Sequence, residues 1–289
     1  KIPLVFRLRL MLRLGLGFRI RLRLRLKLRM RLSMRRRKVE VEVGVENISF
    51  SINAGETVCV VGASGLLGSN VLKEALARGY KVNGTLRDVN APDKATFLNA
   101  LPNADQNLKL FESEMANSES FDDALSNVDC VFIACLIPVY KGPTGKPDRE
   151  MDDEQGYQEI IMPTVNGCLN ILKSTARQGV KNVVICSSTS STNPVPPVPI
   201  KNEVDHWSDE DEQCRAKKYT SATKTVMDKA AIKFAAENGQ RLSIILPTGM
   251  FGPVILPMHL QGNPHSWLKD LIDGKDPKHI KIPNDSTSM

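Results

Sequence analysis

Val58-Cys-Val-Val-Gly-Ala-Ser-Gly-Leu-Leu-Gly68 decides the fold, because an apolar run ends in a turn with glycines at 62, 65 and 68. This pattern predicts a buried strand that meets a helix N-terminus. Glycines at such a junction let the backbone turn tightly and let a pyrophosphate approach the amides. Apolar residues recur at helical spacing from Leu67 to Leu76, before Gly79, which suits a helix C-terminus. The stretch therefore predicts a nucleotide site.

Strands and helices alternate from Glu56 onward, which predicts an α/β fold with a doubly wound parallel sheet, Rossmann-like. Strands are predicted at 57–61, 81–86, 108–112, 129–135, 182–187 and 242–246. Helices are predicted near 66–78, 119–126, 155–178 and 219–238. Ligands of such sheets bind beyond the carboxyl ends of the strands.

A P-loop ATPase is a remote alternative, since Val45 to Thr57 resembles the lead-in to the P-loop of ABC-transporter ATPases. A P-loop needs a lysine for the terminal phosphates and a hydroxyl for magnesium. Ser69 supplies a hydroxyl, but Gly68 stands at the lysine position. The chemistry therefore disfavours this alternative.

The basic charge of the chain is concentrated at its beginning. The net charge is +7 over 289 residues, and residues 1–38 hold 15 Lys/Arg and no acid, which leaves 7 − 15 = −8 for residues 39–289. An acidic remainder gives no sign of a nucleic-acid surface. The Arg-Leu alternation of residues 19–32 has the period of a strand, unlike a transit peptide or a secretory signal. We therefore predict that residues 1–54 are a low-complexity basic extension outside the fold.

The cysteines and histidines favour a cytoplasmic protein without a metal site. The six cysteines include no Cys-x-x-Cys pair, and four lie within or beside apolar runs, as reduced core residues do. The four histidines have no metal-ligand spacing. No apolar run is long enough for a membrane span, and nothing in the sequence specifies an oligomeric state.

Arg87 favours NADP(H) over NAD(H) as cofactor, because it follows the second predicted strand, where dinucleotide folds select the adenosine ribose. An arginine suits a 2′-phosphate, and Lys94 is a candidate second cation. The alternative is a solvated Arg87 with Asp88 facing the ribose hydroxyls.

Hydroxyl groups and a lysine suggest carbonyl reduction. The strand predicted at 182–187 ends in the hydroxyl side chains of residues 187–190, which are suited to hold a substrate carbonyl. Tyr219 and Lys224 open the last predicted helix, and a nearby cation lets a tyrosine act as proton donor. Their separation of five residues rotates the tyrosine by roughly 140° from the lysine. A π-type insertion in the first turn would return Tyr219 to the lysine's face.

Residues 56 to 289 resemble the extended short-chain dehydrogenases/reductases, in the branch of dihydroflavonol reductases and cinnamoyl-CoA reductases. The matching segments follow one another in the branch's order: Gly62 to Gly68, Thr85 to Asp88, Ser120 to Ala124, Val131-Phe132, Pro163 to Gly167, Val180 to Ser188, Trp207 to Asp209 with Cys214, Lys224-Thr225 and Pro247 to Pro253.

The resemblance implies NADPH as cofactor and hydride transfer to a small-molecule carbonyl substrate, a ketone or aldehyde that is bulky and often aromatic. By position, it implies a pyrophosphate site at Gly62, Gly65, Leu66, Leu67 and Gly68, with Arg87 on the 2′-phosphate. It also implies Glu114 and Met115 at the adenine, Ala134 and Pro247 at the nicotinamide half, Ser188 on the carbonyl, Lys224 on the ribose and Asn193 at the substrate.

The family's tyrosine position holds Thr220, and Tyr219 stands beside it. With Tyr219 as donor, the catalytic residues would be Ser188, Tyr219 and Lys224. The alternative is a nucleotide-binding homologue with weak or no catalysis that acts as a sensor or interaction protein. We expect a Rossmann domain at 55–250 and the start of a small substrate lobe at 251–289, partly missing because the chain is a fragment.

Overall fold

The computed structural model describes residues 25–27, 42–44, 56–250, 252–261, 269–270 and 272–274. Most of the predicted extension, and the greater part of the predicted substrate lobe, lie outside the described residues. The chain divides into two compact units, residues 1–54 and 55–289. In the first unit, β1 (Arg25–Lys27) pairs antiparallel with β2 (Glu42–Gly44). That residues 1–54 contribute nothing to the domain stays a prediction.

The second unit is built on a six-stranded, fully parallel sheet, which confirms the predicted fold class. Its strand order, β5-β4-β3-β6-β7-β8, reverses direction between β3 and β6, the point where doubly wound sheets open a ligand crevice. The strands are β3 (Thr57–Val61), β4 (Lys81–Leu86), β5 (Leu108–Glu112), β6 (Cys130–Ile133), β7 (Asn182–Cys186) and β8 (Arg241–Ile245).

The helices of this unit flank the sheet. They are α1 (Leu66–Ala77), α2 (Pro92–Asn99), α3 (Ala104–Asn107), α4 (Asp122–Leu125), α5 (Asp153–Gly156), α6 (Met162–Arg177), α7 (Glu210–Arg215) and α8 (Tyr219–Glu237). The 3₁₀ helices are Ser118–Phe121, Asp148–Glu150, Thr189–Thr192 and Pro257–Gln261. None of the described helices has the length and apolarity that crossing a membrane requires.

The helix predicted at 155–178 is interrupted, which the sequence reasoning missed. A π-helix at Tyr157–Ile161 separates α5 from α6. Pro163, the second residue of α6, supplies the physical reason: a proline inside a helix has no N–H and clashes with the carbonyl four residues earlier. Widening the preceding turn to i→i+5 bonding relieves that clash.

The core lies where β6 and β7 pack against α6 and α8. Val131, Ile133, Val183 and Ile185 are at most 1% exposed. Two buried faces explain why these strands read as continuous apolar runs instead of alternating ones. All six cysteines are free thiols, and four of them are buried. Burial raises the pKa of the Cys130 thiol to about 11, so this group stays protonated and packs as a small apolar side chain.

Candidate active site

Steric contacts require the glycines of the turn after β3. Gly62 has φ +84°, and a Cβ there would lie 2.5 Å from the Cβ of Cys135. A Cβ on Gly68 would lie 2.1 Å from the carbonyl oxygen of Gly62. The Gly62 amide donates to Thr85 Oγ1 of β4 at 3.2 Å, which ties the turn to the neighbouring strand. The loop can take this tight course only without side chains at these two positions.

The N-terminus of α1 is suited to a pyrophosphate. Its N-cap is Gly65, and no side chain caps the helix. The first amides of a helix have no partner within it, so those of Leu66, Leu67 and Gly68 are available to an anion. An uncapped N-terminus of a twelve-residue helix beside a glycine turn fits the diphosphate of a dinucleotide.

Arg87 follows β4 at the same edge of the sheet as the glycine turn, and its side chain is exposed. It has no hydrogen-bond or ion-pair partner within the part of the chain that the structure describes. Asp88 is engaged in the turn, where its Oδ1 accepts from the Asn90 amide at 2.8 Å. Lys94, half-buried, lies in the first turn of α2. Because Asp88 is already hydrogen-bonded and Arg87 has no partner among the described residues, this place favours a phosphate over a ribose hydroxyl.

The residues expected at the adenine and nicotinamide ends follow β5 and β6. Glu114 is exposed, and Met115 packs on Gly167 of α6, where an added Cβ would lie 3.2 Å from the Met115 Cβ. The Asn170 side chain donates to the Met115 carbonyl at 2.9 Å. Ala134 continues β6 through a hydrogen bond from its amide to the Val61 carbonyl at 2.9 Å. These contacts fix Met115 against α6 and Ala134 beside the end of β3, where the glycine turn begins.

Ser188 lies just beyond β7, half-buried, and its Oγ shares a hydrogen bond of 3.1 Å with Ser190 Oγ. The amide of Thr189 donates to the Pro247 carbonyl at 3.3 Å, so the serine turn is bound to the segment after β8. Asn193, at the end of this turn, is exposed, and its Oδ1 accepts from Lys201 at 2.5 Å. Pro247 is therefore bound to the residue that follows Ser188, and Asn193 ends the same turn.

Lys224 lies near the middle of the sheet edge that is formed by the carboxyl ends of the strands. Its side chain is buried, and Nζ donates to the carbonyl of Leu136 at 2.5 Å. Leu136 follows β6, the strand that lies between β3 with its glycine turn and β7 with its serines. Burial lowers the pKa of the Lys224 ammonium, and the negative charge of Asp228 partly restores it.

Tyr219 is not brought together with Lys224 and Ser188. It is fully buried, and its hydroxyl contacts Asp153 Oδ1 at 3.0 Å, the Asp152 carbonyl at 3.1 Å and Lys217 Nζ at 3.0 Å. Its ring packs on Gly156, where an added Cβ would lie 2.3 Å from Tyr219 Cζ.

The spacing in α8 explains this placement. The helix is α-helical from Tyr219, without the π-type insertion in its first turn, so a separation of five residues leaves the two side chains on different faces. Thr220, four residues before Lys224, shares the lysine's face and is half-buried. Its hydroxyl has no hydrogen-bond partner among the described residues. The geometry gives no support to Tyr219 as the proton donor.

Two further residues, Asp228 and His259, contact the site and were missed from the sequence. Asp228 accepts from Ser187 Oγ at 2.8 Å and is 1% exposed. The sequence contained a signal for Asp228, because an acid four residues after Lys224 falls on the same helix face. His259 Nε2 lies 2.9 Å from the Ser64 carbonyl of the glycine turn. No local pattern pointed to His259, because the contact spans 195 residues.

No group of three or more His, Cys, Asp or Glu side chains that could hold a metal ion occurs among the residues described above. The site offers a glycine turn, cations and hydroxyl groups. These groups are suited to bind a phosphorylated dinucleotide and to polarise a carbonyl.

Comparison with known proteins agrees with this geometry. The bifunctional dihydroflavonol 4-reductase/flavanone 4-reductase of Malus domestica is 35% identical over 207 residues, 70% of this chain and 56% of that protein. The chain thus spans little more than half the length of such relatives.

Two solved structures share the fold. Vestitone reductase from alfalfa matches with a TM-score of 0.56 and 27% identity, over 75% of this chain and 63% of that one. Gre2 from Candida albicans, solved in complex with NADPH, matches with a TM-score of 0.54 and 26% identity, over 68% and 59%.

The family model that matches is the NAD dependent epimerase/dehydratase family, over residues 58–287. That range begins in β3 and includes the glycine turn, the serine turn and Lys224. The resemblance to the dihydroflavonol reductase branch of extended short-chain dehydrogenases/reductases is confirmed, and the chain belongs to the NAD dependent epimerase/dehydratase family.

Proposed function

We propose that this chain is an NADPH-dependent carbonyl reductase that acts on a bulky ketone or aldehyde, with phenolic compounds such as dihydroflavonols as the first candidates. The observation that carries the proposal is the hydrogen bond from Lys224 to the Leu136 carbonyl, which places an ammonium between the glycine turn and the serine turn. The names of the relatives support the choice of candidate substrates, and the NADPH complex of Gre2 supports the choice of cofactor.

Each part of the edge has a task in this proposal. The amides of α1 bind the diphosphate of the dinucleotide, and the guanidinium of Arg87 binds its 2′-phosphate. NADPH, when bound, supplies the hydride. The Ser188 hydroxyl donates to the substrate carbonyl oxygen, and the charge of Lys224 stabilises the negative charge that develops there. The lysine has two further N–H groups beyond the one given to Leu136, and these serve the ribose.

The proton that completes the reduction comes, in this proposal, from water held by Thr220 and Ser188. Tyr219 would have to leave Asp153, Asp152 and Lys217 to reach the site, and its removal would empty a fully buried volume. Thr220 needs no such rearrangement, because it already shares the face of Lys224.

The second candidate function is a nucleotide-binding homologue with weak or no catalysis. The observation that favours it is the same displacement of Tyr219, which leaves the site without a phenol beside Lys224. This protein would bind NADPH and leave it unoxidised.

Turnover of NADPH with a panel of aldehydes and dihydroflavonols, measured together with NADPH binding by fluorescence, separates the two functions. For a reductase, we expect Thr220→Val to lower turnover by about tenfold or more at unchanged NADPH affinity. Tyr219→Phe should mainly lower the melting temperature, because a buried hydroxyl network is lost. A loss of turnover on Tyr219→Phe alone would contradict the water route, and binding without any turnover would favour the second function.

A further inference from the structure

The buried carboxylate of Asp228 is unexplained by the contacts given so far. Asp228 is 1% exposed, and its Oδ2 accepts from Ser187 Oγ at 2.8 Å. Its other oxygen, Oδ1, is buried without a hydrogen-bond partner among the described residues. A carboxylate in such a place costs folding free energy unless nearby charges and donors compensate. Its position beside Ser187 suggests that it has a role in the site.

Asp228 is joined to the segment that carries Ser188. Its partner Ser187 directly precedes Ser188, and the Ser187 amide donates to the Ile245 carbonyl of β8 at 2.8 Å. On the far side of Ser188, the fully buried Ser191 donates through Oγ to the Ser188 carbonyl at 3.0 Å. Hydrogen bonds therefore fix the chain on both sides of Ser188, and the one made by Ser187 connects it to Asp228 of α8.

Asp228 also faces the buried ammonium of Lys224, one helical turn earlier on α8. Among the described residues, the charged and titratable groups around the carboxylate are Lys224 on the same helix, Cys186 at the end of β7 and Cys168 on α6, with the hydroxyls of Ser187 and Ser191 beside it. Burial raises the pKa of both thiols, so they stay neutral at physiological pH. The lysine is thus the cation that the carboxylate interacts with.

We propose that Asp228 is a positioning residue for the reduction, which locks the Ser188 turn to α8 and keeps Lys224 charged. This inference rests on the proposed function of the same site. No atom of Asp228 needs to touch substrate or cofactor for this role. It acts through the Ser187 hydroxyl and through its charge.

The role predicts a pH dependence. Burial raises the pKa of Asp228 to about 6, and the hydroxyls of Ser191 and Ser187 and the charge of Lys224 limit this rise. Above that pH the carboxylate is ionised and supports the ammonium of Lys224. Below it the carboxyl is neutral, and the charge-assisted hydrogen bond from Ser187 that holds the Ser188 turn to α8 weakens. Turnover should therefore fall on the acid side with an apparent pKa near 6, which belongs to the Asp228–Lys224 pair.

Asp228→Asn in the full chain tests the proposal, because asparagine keeps the shape and an acceptor for Ser187 while removing the charge. We expect kcat to fall by about tenfold or more and the acid limb near pH 6 to disappear, while the NADPH dissociation constant changes by less than about threefold. A second readout needs no turnover: NMR of labelled lysine should show the Lys224 midpoint at lower pH in the variant, because the carboxylate that raises it is gone.

Thr175→Val is the matched control, because it removes a buried hydrogen bond of similar length, 2.8 Å from Gln240 Nε2 to Thr175 Oγ1, away from the Ser188 turn. It should lower the melting temperature and leave the acid limb in place. If Asp228→Asn does not fold, Ser187→Ala keeps the charge and removes one of the two hydroxyl groups that lower the Asp228 pKa, so the acid limb should move to higher pH.

The outcomes separate this inference from the proposed function. An unchanged kcat, acid limb and Lys224 midpoint in Asp228→Asn, or an unmoved acid limb in Ser187→Ala, would overturn it. A protein that shows no turnover, but whose Lys224 midpoint falls in Asp228→Asn, would refute the reductase function and still support the coupling of Asp228 to Lys224.

Discussion

Arg87→Ala should weaken the binding of NADPH and leave the binding of NADH unchanged. Arg87 is exposed and unpartnered among the described residues, so binding a 2′-phosphate there costs no existing ion pair. Hydrogen bonds to charged groups contribute about 1.5–3 kcal/mol, and solvent exposure favours the lower end of that range. Lys94 retains part of the attraction. We therefore expect NADPH binding to weaken by about 1.5 kcal/mol, or roughly tenfold, and NADH binding to stay unchanged.

Fluorescence titration of both cofactors at two salt concentrations measures this difference. The loss should shrink at higher salt, because the Debye length falls from about 10 Å at 0.1 M to about 3 Å at 1 M. Lys81→Ala is the control, an exposed cation at the opposite end of the same strand, and it should leave both affinities unchanged. An equal loss for NADPH and NADH, or a loss for NADH alone, would refute the assignment of Arg87 to the 2′-phosphate.

Two further predictions concern stability. A chain that begins at Gly55, where the second compact unit begins, should keep the melting temperature and NADPH affinity of the full chain. A chain that begins at Val60 should not, since it lacks the first three of the five residues of β3. A drop of several degrees in the melting temperature of the Gly55 chain would show that residues 1–54 stabilise the domain. Arg177→Met should lower the free energy of unfolding in urea at pH 7 by about 0.5–1 kcal/mol, because Arg177 pairs with Asp122 at 2.7 Å and holds the pKa of that carboxyl below 3.8. Since the folded-state pKa of Asp122 is lowered, this contribution is present above pH 3.8 and is lost as the pH falls through the folded-state value. A stability difference between the two proteins that stays constant from pH 7 into this acid range would contradict the ion-pair explanation. Arg78→Met, which removes a more exposed pair with Glu74, should lower the free energy of unfolding by less.

The fold was predictable from the sequence because its signals are local. The strand ends deviate from the predicted ones by at most two residues. The largest deviation is at the end of β6, where the apolar run continues past the strand into Ala134. The short helices α2, α3 and α7 were missed. The start of α2 is marked only by Pro92 at its first turn, and α7 depends on the Asp209 side chain, which accepts from the amides of Asp211 and Glu212.

The candidate site was predictable only where chain order fixes position. Gly62, Arg87 and Ser188 each follow a strand of the parallel sheet, so the topology alone places them at one edge. The contacts of Tyr219 with Asp153 and Asp152 depend on the start of α5, 66 residues earlier in the chain, which no spacing rule on α8 reveals. The same holds for the His259 contact with the glycine turn.

Transfer of a labelled hydride tests the central proposal most directly. The protein is given NADPH that carries deuterium at the transferred position of the nicotinamide, together with a dihydroflavonol or an aldehyde, and the alcohol product is analysed by mass spectrometry. A reductase should place one deuterium on the former carbonyl carbon, and Lys224→Met should abolish this transfer while the chain stays folded. Tight NADPH binding with no deuterated product from any substrate of the panel would contradict the reductase function.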